Sequence, residues 1–135
     1  MPVSYHISPT HQLIIISFIE RYSAGETLEM FAKYTADPKF DETYQLVLDL
    51  TRASSVDASF SEMRKVVQEV GPRLSNAERG LCVFIVPNDF FFGVARMYQT
   101  MINDYVPYEI EIKRNKQDAA DLLGVPLAAL SPTDA

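Results

Sequence analysis

The chain has 135 residues, 47% of them hydrophobic, and a net charge of −6, which is typical of a globular protein. The acidic balance, 18 Asp and Glu against 12 Lys and Arg, disfavours nucleic acid as a partner, because phosphates would repel it. A single cysteine, Cys82, excludes an internal disulfide. The longest apolar run, residues 13–19, is too short for a transmembrane segment, and the first ten residues lack a signal-peptide pattern. We therefore expect a cytoplasmic protein.

Five apolar runs predict β-strands, and capping residues before four other segments predict helices. The strands are predicted at 3–7, 12–20, 44–50, 81–86 and 108–114. The helices are predicted after Ser23 and Ser59, from Asn88, and between Asn115 and Gly124. The order β-β-α-β-α-β-α-β-α predicts an α/β fold: a mixed, mostly parallel sheet of four or five strands that begins with an antiparallel hairpin.

The segment after the third strand contains the first candidate site. Residues 51–58 are predicted to form a polar loop, and Ser59 with Glu62 has the spacing of a capping box. Asp49 and Asp57 are predicted to approach each other at the carboxyl end of the strand, where open α/β sheets bind ligands. This carboxylate pair has no partner acid, base or metal ligand, and solvated loop acids are the alternative interpretation.

Sequence motifs of enzymes and metal sites are absent. The five glycines form neither a dinucleotide-binding nor a phosphate-binding loop. His6 and His11 lie an odd number of residues apart in the predicted hairpin, so they face opposite sides of it. We therefore predict no catalytic residues, no cofactor and no metal site. The helix that begins at Ser59 is predicted to end near Gly71 and Pro72, because this pair is typical of a helix terminus.

The predicted helix at 89–104 contains the second candidate site, because its apolar face is unusually wide. One interpretation is an ordinary buried helix; the other is a helix that offers Phe and Met side chains to a ligand or a second subunit. The candidate ligand or interface residues are Phe90, Phe91, Phe92, Arg96, Met97, Tyr98 and Met101. Arg96 would pair with an acid or an anionic head group. A homodimer is predicted to form through Phe92, Tyr98 or Met101.

Two stretches carry a resemblance to a known family. "LVLDLTRASSVDAS", residues 46–59, resembles a segment of STAS domains (sulfate transporter and anti-sigma factor antagonist). "FGVARMYQTM", residues 92–101, with the strand and helix that follow it, is similar to the SpoIIAA-like branch of that superfamily. The resemblance implies a SpoIIAA/STAS-like domain at 1–124. The remaining residues, 125–135, are predicted to form a loosely held C-terminal tail.

The resemblance also implies a function. In anti-sigma factor antagonists the serine at the Ser59 position is phosphorylated by a partner kinase, which implies a non-enzymatic regulatory module that binds another protein or itself. This chain departs from the antagonist pattern, because Phe60 replaces a glycine and Ala58 replaces a serine. The alternative function is a carrier of a small apolar or lipid-like ligand between the helix and the sheet. A cavity lined by Phe90, Phe91, Met97 and Met101 would favour the carrier, and an exposed apolar patch would favour the module.

Overall fold

The computed structural model describes residues 3–57, 59–74 and 80–131. The strands in these ranges are β1 (Val3–Ser8), β2 (Leu13–Ser23), β3 (Gln45–Asp57), β4 (Leu81–Ile85) and β5 (Glu109–Lys113). The helices are α1 (Ala24–Thr35), α2 (Phe60–Leu74), α3 (Asp89–Ile102) and α4 (Lys116–Leu123), followed by a 3-10 helix (Leu127–Leu130). The predicted order β-β-α-β-α-β-α-β-α is confirmed.

The five strands form one mixed sheet in the order β1-β2-β3-β4-β5. The predicted hairpin of β1 and β2 is antiparallel, and the other three pairs are parallel. Helices α1, α2 and α3 cover one face of the sheet, whereas α4 and the 3-10 helix cover the other. Strand β2 is apolar along most of its length because it contributes to both cores: Ile14 and Phe18 to the first, Leu13 and Ile15 to the second.

Strand β3 is longer than predicted, so the loop predicted at 51–58 is wrong up to Asp57; Ala58 lies outside the described residues. The last part of β3 pairs only with β2, as far as Ser23, because β4 pairs with β3 only up to Asp49. Most side chains beyond Leu50 are therefore solvated. Their polar composition is also typical of a loop, which is why the sequence predicts one here. Two bulges occur in this part of β3, one after Asp49 and one at Ser54.

Helix α2 continues through Gly71 and Pro72 to Leu74, two residues beyond the pair near which its end is predicted. Gly71 has a packing role instead: a Cβ atom there would lie 2.6 Å from the ring of Tyr105. Pro72 lies inside α2, and because it has no backbone N–H it cannot donate the helical hydrogen bond to the carbonyl four residues earlier. The polar segment at 73–80 is predicted as a loop or a continuation of the helix; Arg73 and Leu74 continue α2, and residues 75–79 lie outside the described residues.

The first part of the predicted C-terminal tail packs onto the domain rather than being loosely held. Leu130 is buried in the second core, and Lys116 Nζ donates a hydrogen bond to Ser131 Oγ at 3.0 Å. The burial of Leu130 therefore fixes this segment against the sheet. Residues 132–135 lie outside the described ranges. Within those ranges, no helix is both long and apolar enough to cross a bilayer.

Candidate functional site

Ser59 lies at the N-terminus of α2, at the end of the sheet where the parallel strands finish. The backbone N–H of Glu62 donates to Ser59 Oγ at 3.1 Å, and the Ser59 N–H donates to Glu62 Oε1 at 3.0 Å. The predicted capping box is therefore confirmed. The hydrogen bond from the Ser59 amide lowers the pKa of Glu62, and the Ser59 side chain adds to this effect. Ser59 is exposed, so its hydroxyl is accessible from solvent.

Asp57, the last residue of β3, lies beside this cap and is largely exposed. Its carboxylate is 3.7 Å from Nη1 of Arg21, whose Nη2 donates to Glu26 Oε1 at 3.0 Å. The spacing of Ser23 and Glu26 predicts a reciprocal capping box. One half of it is present, since the Glu26 N–H donates to Ser23 Oγ. The Glu26 carboxylate bonds Arg21 instead of completing the other half. The charged groups around this end of the sheet therefore form ion pairs within the chain.

Asp49 is buried, and its two carboxylate oxygens have different partners. Oδ1 accepts hydrogen bonds from the N–H of Thr51 at 2.9 Å and from Thr51 Oγ1 at 2.6 Å. Oδ2 lies 3.5 Å from Nζ of Lys116, at the start of α4. Asp57 is roughly 20 Å further along the same strand, because the two residues pair with Ser17 and Ser23 of β2, which lie six residues apart at about 3.3 Å per residue. The predicted approach of the two carboxylates is wrong, and Asp49 instead holds the bulge in β3.

The three consecutive phenylalanines at the start of α3 have different environments. Phe91 is buried, with 1% of its surface exposed, whereas Phe90 is 62% exposed and stacks edge-on against Phe91. Phe92 is half-buried, and the guanidinium of Arg114 lies 4.5 Å from the centre of its ring. Phe90, rather than Phe92, is therefore the phenylalanine of α3 that a partner can reach.

The other candidates on α3 face the core or form local contacts. Tyr98 and Met101 are half-buried against the first core, and burial raises the pKa of Tyr98 well above its usual value. Met97 is also half-buried. Arg96 is exposed and donates to Gln99 Oε1 at 2.9 Å, a neutral partner instead of the predicted acid. The surface predicted for a homodimer is thus mostly occupied by contacts within the chain.

Two small apolar cavities lie between the sheet and the helices. One, of about 30 Å³, has Leu50, Met63, Val94 and Tyr98 in its walls. The other, of about 40 Å³, lies towards α1 and shares the side chain of Tyr98 with the first. Neither of these two cavities is lined by the residues predicted for a carrier, which are Phe90, Phe91, Met97 and Met101.

Phe60 is more exposed than its place in the apolar pattern of α2 indicates. Its spacing from Met63 predicts that the two share one apolar stripe of α2, but 54% of the Phe60 surface is exposed, and the guanidinium of Arg64 lies 5.7 Å from its ring centre. As the first residue of α2, it lies before the helix reaches the sheet face. Its position directly after the cap residue Ser59 was the signal available in the sequence.

Across the part of the chain that the structure describes, no three His, Cys, Asp or Glu side chains come together as a metal ion would require. The polar groups of the candidate sites instead satisfy one another locally, as Ser59 and Glu62 do. The absence of catalytic residues and of a cofactor stays a prediction.

No protein-family model matches the chain, and no curated protein matches its sequence. Among solved structures, it is similar to an uncharacterized DUF3478-family protein with a SpoIIAA-like fold from Shewanella loihica PV-4, with a TM-score of 0.56 and 14% identity over 90% of this chain and 91% of that chain. It is also similar to the anti-sigma factor antagonist SpoIIAA in its unphosphorylated form, with a TM-score of 0.55 and 14% identity over 90% and 97% of the two chains. The chain therefore has the SpoIIAA-like α/β fold, as the sequence resemblance implied.

Proposed function

We propose that this chain is a non-enzymatic regulatory module that binds another protein through the carboxyl end of its sheet and is controlled at Ser59. The observation that carries this proposal is the geometry of Ser59, which is exposed and bonded to Glu62 at the first turn of α2. A local pair of this kind is easily displaced by a phosphate or a partner. The similarity to SpoIIAA, described as an anti-sigma factor antagonist with an unphosphorylated form, supports the proposal.

A phosphate on Ser59 would change both the charge and the hydrogen bonds at this position. It would add about −1.5 to −2 charges next to the N-terminal amides of α2, where the helix dipole favours an anion. It would also repel Glu62 and Asp57, which lie on either side of Ser59. Phosphorylation would therefore replace the capping box with a strongly anionic surface.

The partner must also accommodate the residue after the serine. Phe60 is exposed where the antagonist pattern has a glycine, so a partner that approaches Ser59 meets an aromatic ring. This difference favours a partner with its own complementary apolar surface.

The modification is tested by measuring the intact mass of the protein after incubation with ATP and a lysate of its own host. We expect one added phosphate on the wild type and none on Ser59→Ala. Ser61→Ala is the matched control, because Ser61 is an exposed serine in the same helical turn, and it should still gain the phosphate. Three unmodified proteins would contradict phosphorylation at Ser59.

The effect on binding is tested with protein that carries phosphoserine at position 59 or, as the control, at position 61. Proteins captured from the lysate are then quantified by mass spectrometry. We expect at least one protein to bind the wild type and the control but not the form modified at Ser59. Identical capture by all three forms would contradict regulation at this position.

The carrier is the second candidate, and the two apolar cavities that share Tyr98 are the space that a ligand would use. Their volumes, about 30 and 40 Å³, are well below the roughly 300–1,000 Å³ of typical small-molecule sites, so α3 would have to move to admit a ligand. Native mass spectrometry of protein purified from its own host would detect such a ligand as added mass. The predicted cytoplasmic location stays a prediction, which fractionation of host cells would test.

A further inference from the structure

A cavity of about 200 Å³ lies at the C-terminal end of α1. Its wall includes Thr35, the last residue of α1, and Leu74 of α2. Leu74 lies roughly 20 Å along α2 from the Ser59 cap, at about 1.5 Å per helical residue. The cavity is therefore separate from that cap. Typical small-molecule sites begin at roughly 300 Å³, so only a small ligand, or one group of a larger ligand, would fill it.

Three aromatic rings form much of the wall, those of Phe31, Tyr34 and Phe40. The ring centres of Phe31 and Tyr34 are 5.5 Å apart with an angle of 88° between the ring planes. Those of Tyr34 and Phe40 are 5.9 Å apart at 58°. Rings that are steeply inclined around one space are typical of sites for organic cations, because the face of an aromatic ring is electron-rich.

The position of Phe40 is fixed by hydrogen bonds in the loop after α1. The Phe40 N–H donates to the carbonyl of Asp37 at 2.9 Å. The Asp37 carboxylate accepts the N–H of Lys39 at 2.8 Å and the hydroxyl of Tyr5 in β1 at 2.7 Å. The loop is thus tied to the sheet, and the ring is in place before a ligand arrives. Such preorganisation lowers the entropic cost of binding.

The wall also supplies negative charge. Glu42, from the same loop as Phe40, lines the cavity. Thr35 ends α1, and the C-terminal end of a helix carries about half a negative elementary charge. The loop at 36–44 contains three acidic residues and one lysine. Both the rings and these charges therefore favour a cation.

A cation of the chain itself already lies over one of the rings. The guanidinium of Arg73, which also lines the cavity, is 5.9 Å from the ring centre of Phe31. Its Nη2 atom lies 3.6 Å from Oε1 of Glu69, one helical turn earlier, and this carboxylate offsets part of its charge. A ligand cation would therefore lie towards Phe40 and Glu42, away from Arg73.

We propose that this cavity binds a small alkylammonium group, such as the quaternary ammonium of choline, against the rings of Tyr34 and Phe40 with Glu42 as its counter-ion. Methyl groups on the nitrogen would bury apolar surface against the rings while the charge is kept. A metal ion is not suited to this wall, because Glu42 is its single carboxylate and Ca²⁺ takes six or more oxygen ligands. The inference goes beyond the proposed function and does not depend on Ser59.

Nuclear magnetic resonance titration of the whole chain with choline chloride tests the proposal, with sodium chloride at the same concentration as the reference. We expect saturable shifts of the amide signals of Phe40 and Glu42 with choline alone. Glu42→Gln removes the counter-ion, and Phe40→Leu removes the ring but keeps apolar bulk. Each should weaken choline binding about tenfold.

The matched controls change the same chemical groups elsewhere. Glu109→Gln removes an exposed carboxylate on β5, at the far edge of the sheet from β1. Phe60→Ala removes an exposed ring at the other end of α2. Both should bind choline like the wild type. Arg73→Gln should strengthen binding about threefold, because it removes a repelling charge.

Two further ligands define what is recognised. The neutral analogue of choline, in which a carbon atom replaces the nitrogen, should bind at least about tenfold more weakly than choline. Vesicles of phosphatidylcholine distinguish the source of the group. Binding to vesicles that is lost in Glu42→Gln would support a lipid head group, and binding to choline without vesicles would support a soluble ligand.

Four results would overturn the site. Choline shifts no larger than those with sodium chloride would show that no alkylammonium group binds. Equal binding of the neutral analogue would show an apolar cavity without charge selection. Weaker binding in Arg73→Gln would show that Arg73 attracts the ligand. Wild-type binding by Glu42→Gln would place choline elsewhere, and this variant stays decisive if Phe40→Leu does not fold, because Glu42 is exposed.

Discussion

The neighbouring strands β3 and β4 both lead into a helix, but the two junctions differ. After β4 the chain needs only residues 86–88 to reach α3, and Val86 is fully buried. After its last pair with β4, at Asp49, β3 continues through two bulges to Asp57 before α2 begins. One junction is short and packed into the core, whereas the other extends past β4, paired only with β2, and most of its side chains are exposed.

This difference indicates which junction supports the domain and which one can regulate it. At the β4–α3 junction Phe91 is buried, and the cap is the amide side chain of Asn88, whose Oδ1 accepts the N–H of Phe91 at 3.0 Å. At the β3–α2 junction the cap is the hydroxyl of Ser59, an exposed group that a kinase can modify. If the proposed function is correct, regulation acts at the β3–α2 junction, where the capping side chain is exposed.

The largest expected effect is at the β4–α3 junction. Phe91→Ala should lower the free energy of unfolding by about 3–5 kcal/mol, because it leaves a cavity in the first core. Its neighbour Phe90 is the matched control, and Phe90→Ala should change stability by less than about 0.5 kcal/mol, as is usual at exposed sites. Urea unfolding measures both values. Equal losses for the two variants would show that the junction is not packed as described.

A smaller effect is expected at Asp49, where β3 makes its last pair with β4. Asp49→Ala should cost about 1–3 kcal/mol, because the donors of Thr51 lose their partner and Lys116 loses its ion pair. Asp49→Asn keeps an oxygen acceptor for Thr51 and should cost less. Unfolding in urea again provides the measurement; if Asp49→Ala unfolds at the same urea concentration as the wild type, the carboxylate does not hold the bulge.

The regular elements could be predicted because their signals are local. Strand β2 is signalled by its apolar run. Helix α4 is signalled at its start by the N-cap Asn115 and at its end by Gly124, which has a left-handed conformation. Each signal depends on a few adjacent residues. The extension of β3 could not be predicted this way, because its pairing with the end of β2 joins segments that are distant in the sequence. The packing role of Gly71 could not be predicted from local signals either, because it depends on contact with Tyr105, which is distant in the sequence.

The candidate site was predicted in part for the same reason. The spacing of Ser59 and Glu62 predicts the cap correctly because both partners lie in one helical turn. Helical periodicity also indicates which residues share a face, but not where a helix extends beyond the sheet. Spacing alone therefore places Phe60 and Phe90 on apolar stripes, although both side chains are exposed.

The two caps should differ modestly in strength. Ser59→Ala should cost about 1 kcal/mol, the usual loss for a cap, and Asn88→Ala should cost up to about 2 kcal/mol because its hydrogen bond is partly buried. Thermal melting of the two variants provides the comparison. A Ser59→Ala protein that melts like the wild type would mean that the capping box contributes nothing to stability, and a larger loss at Ser59 than at Asn88 would contradict the difference between the junctions.

The smallest effect concerns the ionisation of Glu62. Hydrogen bonds from the Ser59 amide and side chain lower the pKa of Glu62 in the folded protein. Its contribution to stability is therefore present above the carboxyl pKa of the unfolded chain and is lost as the pH falls through the lower folded value. Nuclear magnetic resonance titration of the Glu62 carboxyl carbon should give a pKa below the usual range in the wild type. Ser59→Ala, which keeps the amide but loses the hydroxyl, should move this pKa part of the way back. Identical titrations of the two proteins would show that the Ser59 side chain does not contribute to the lowered pKa.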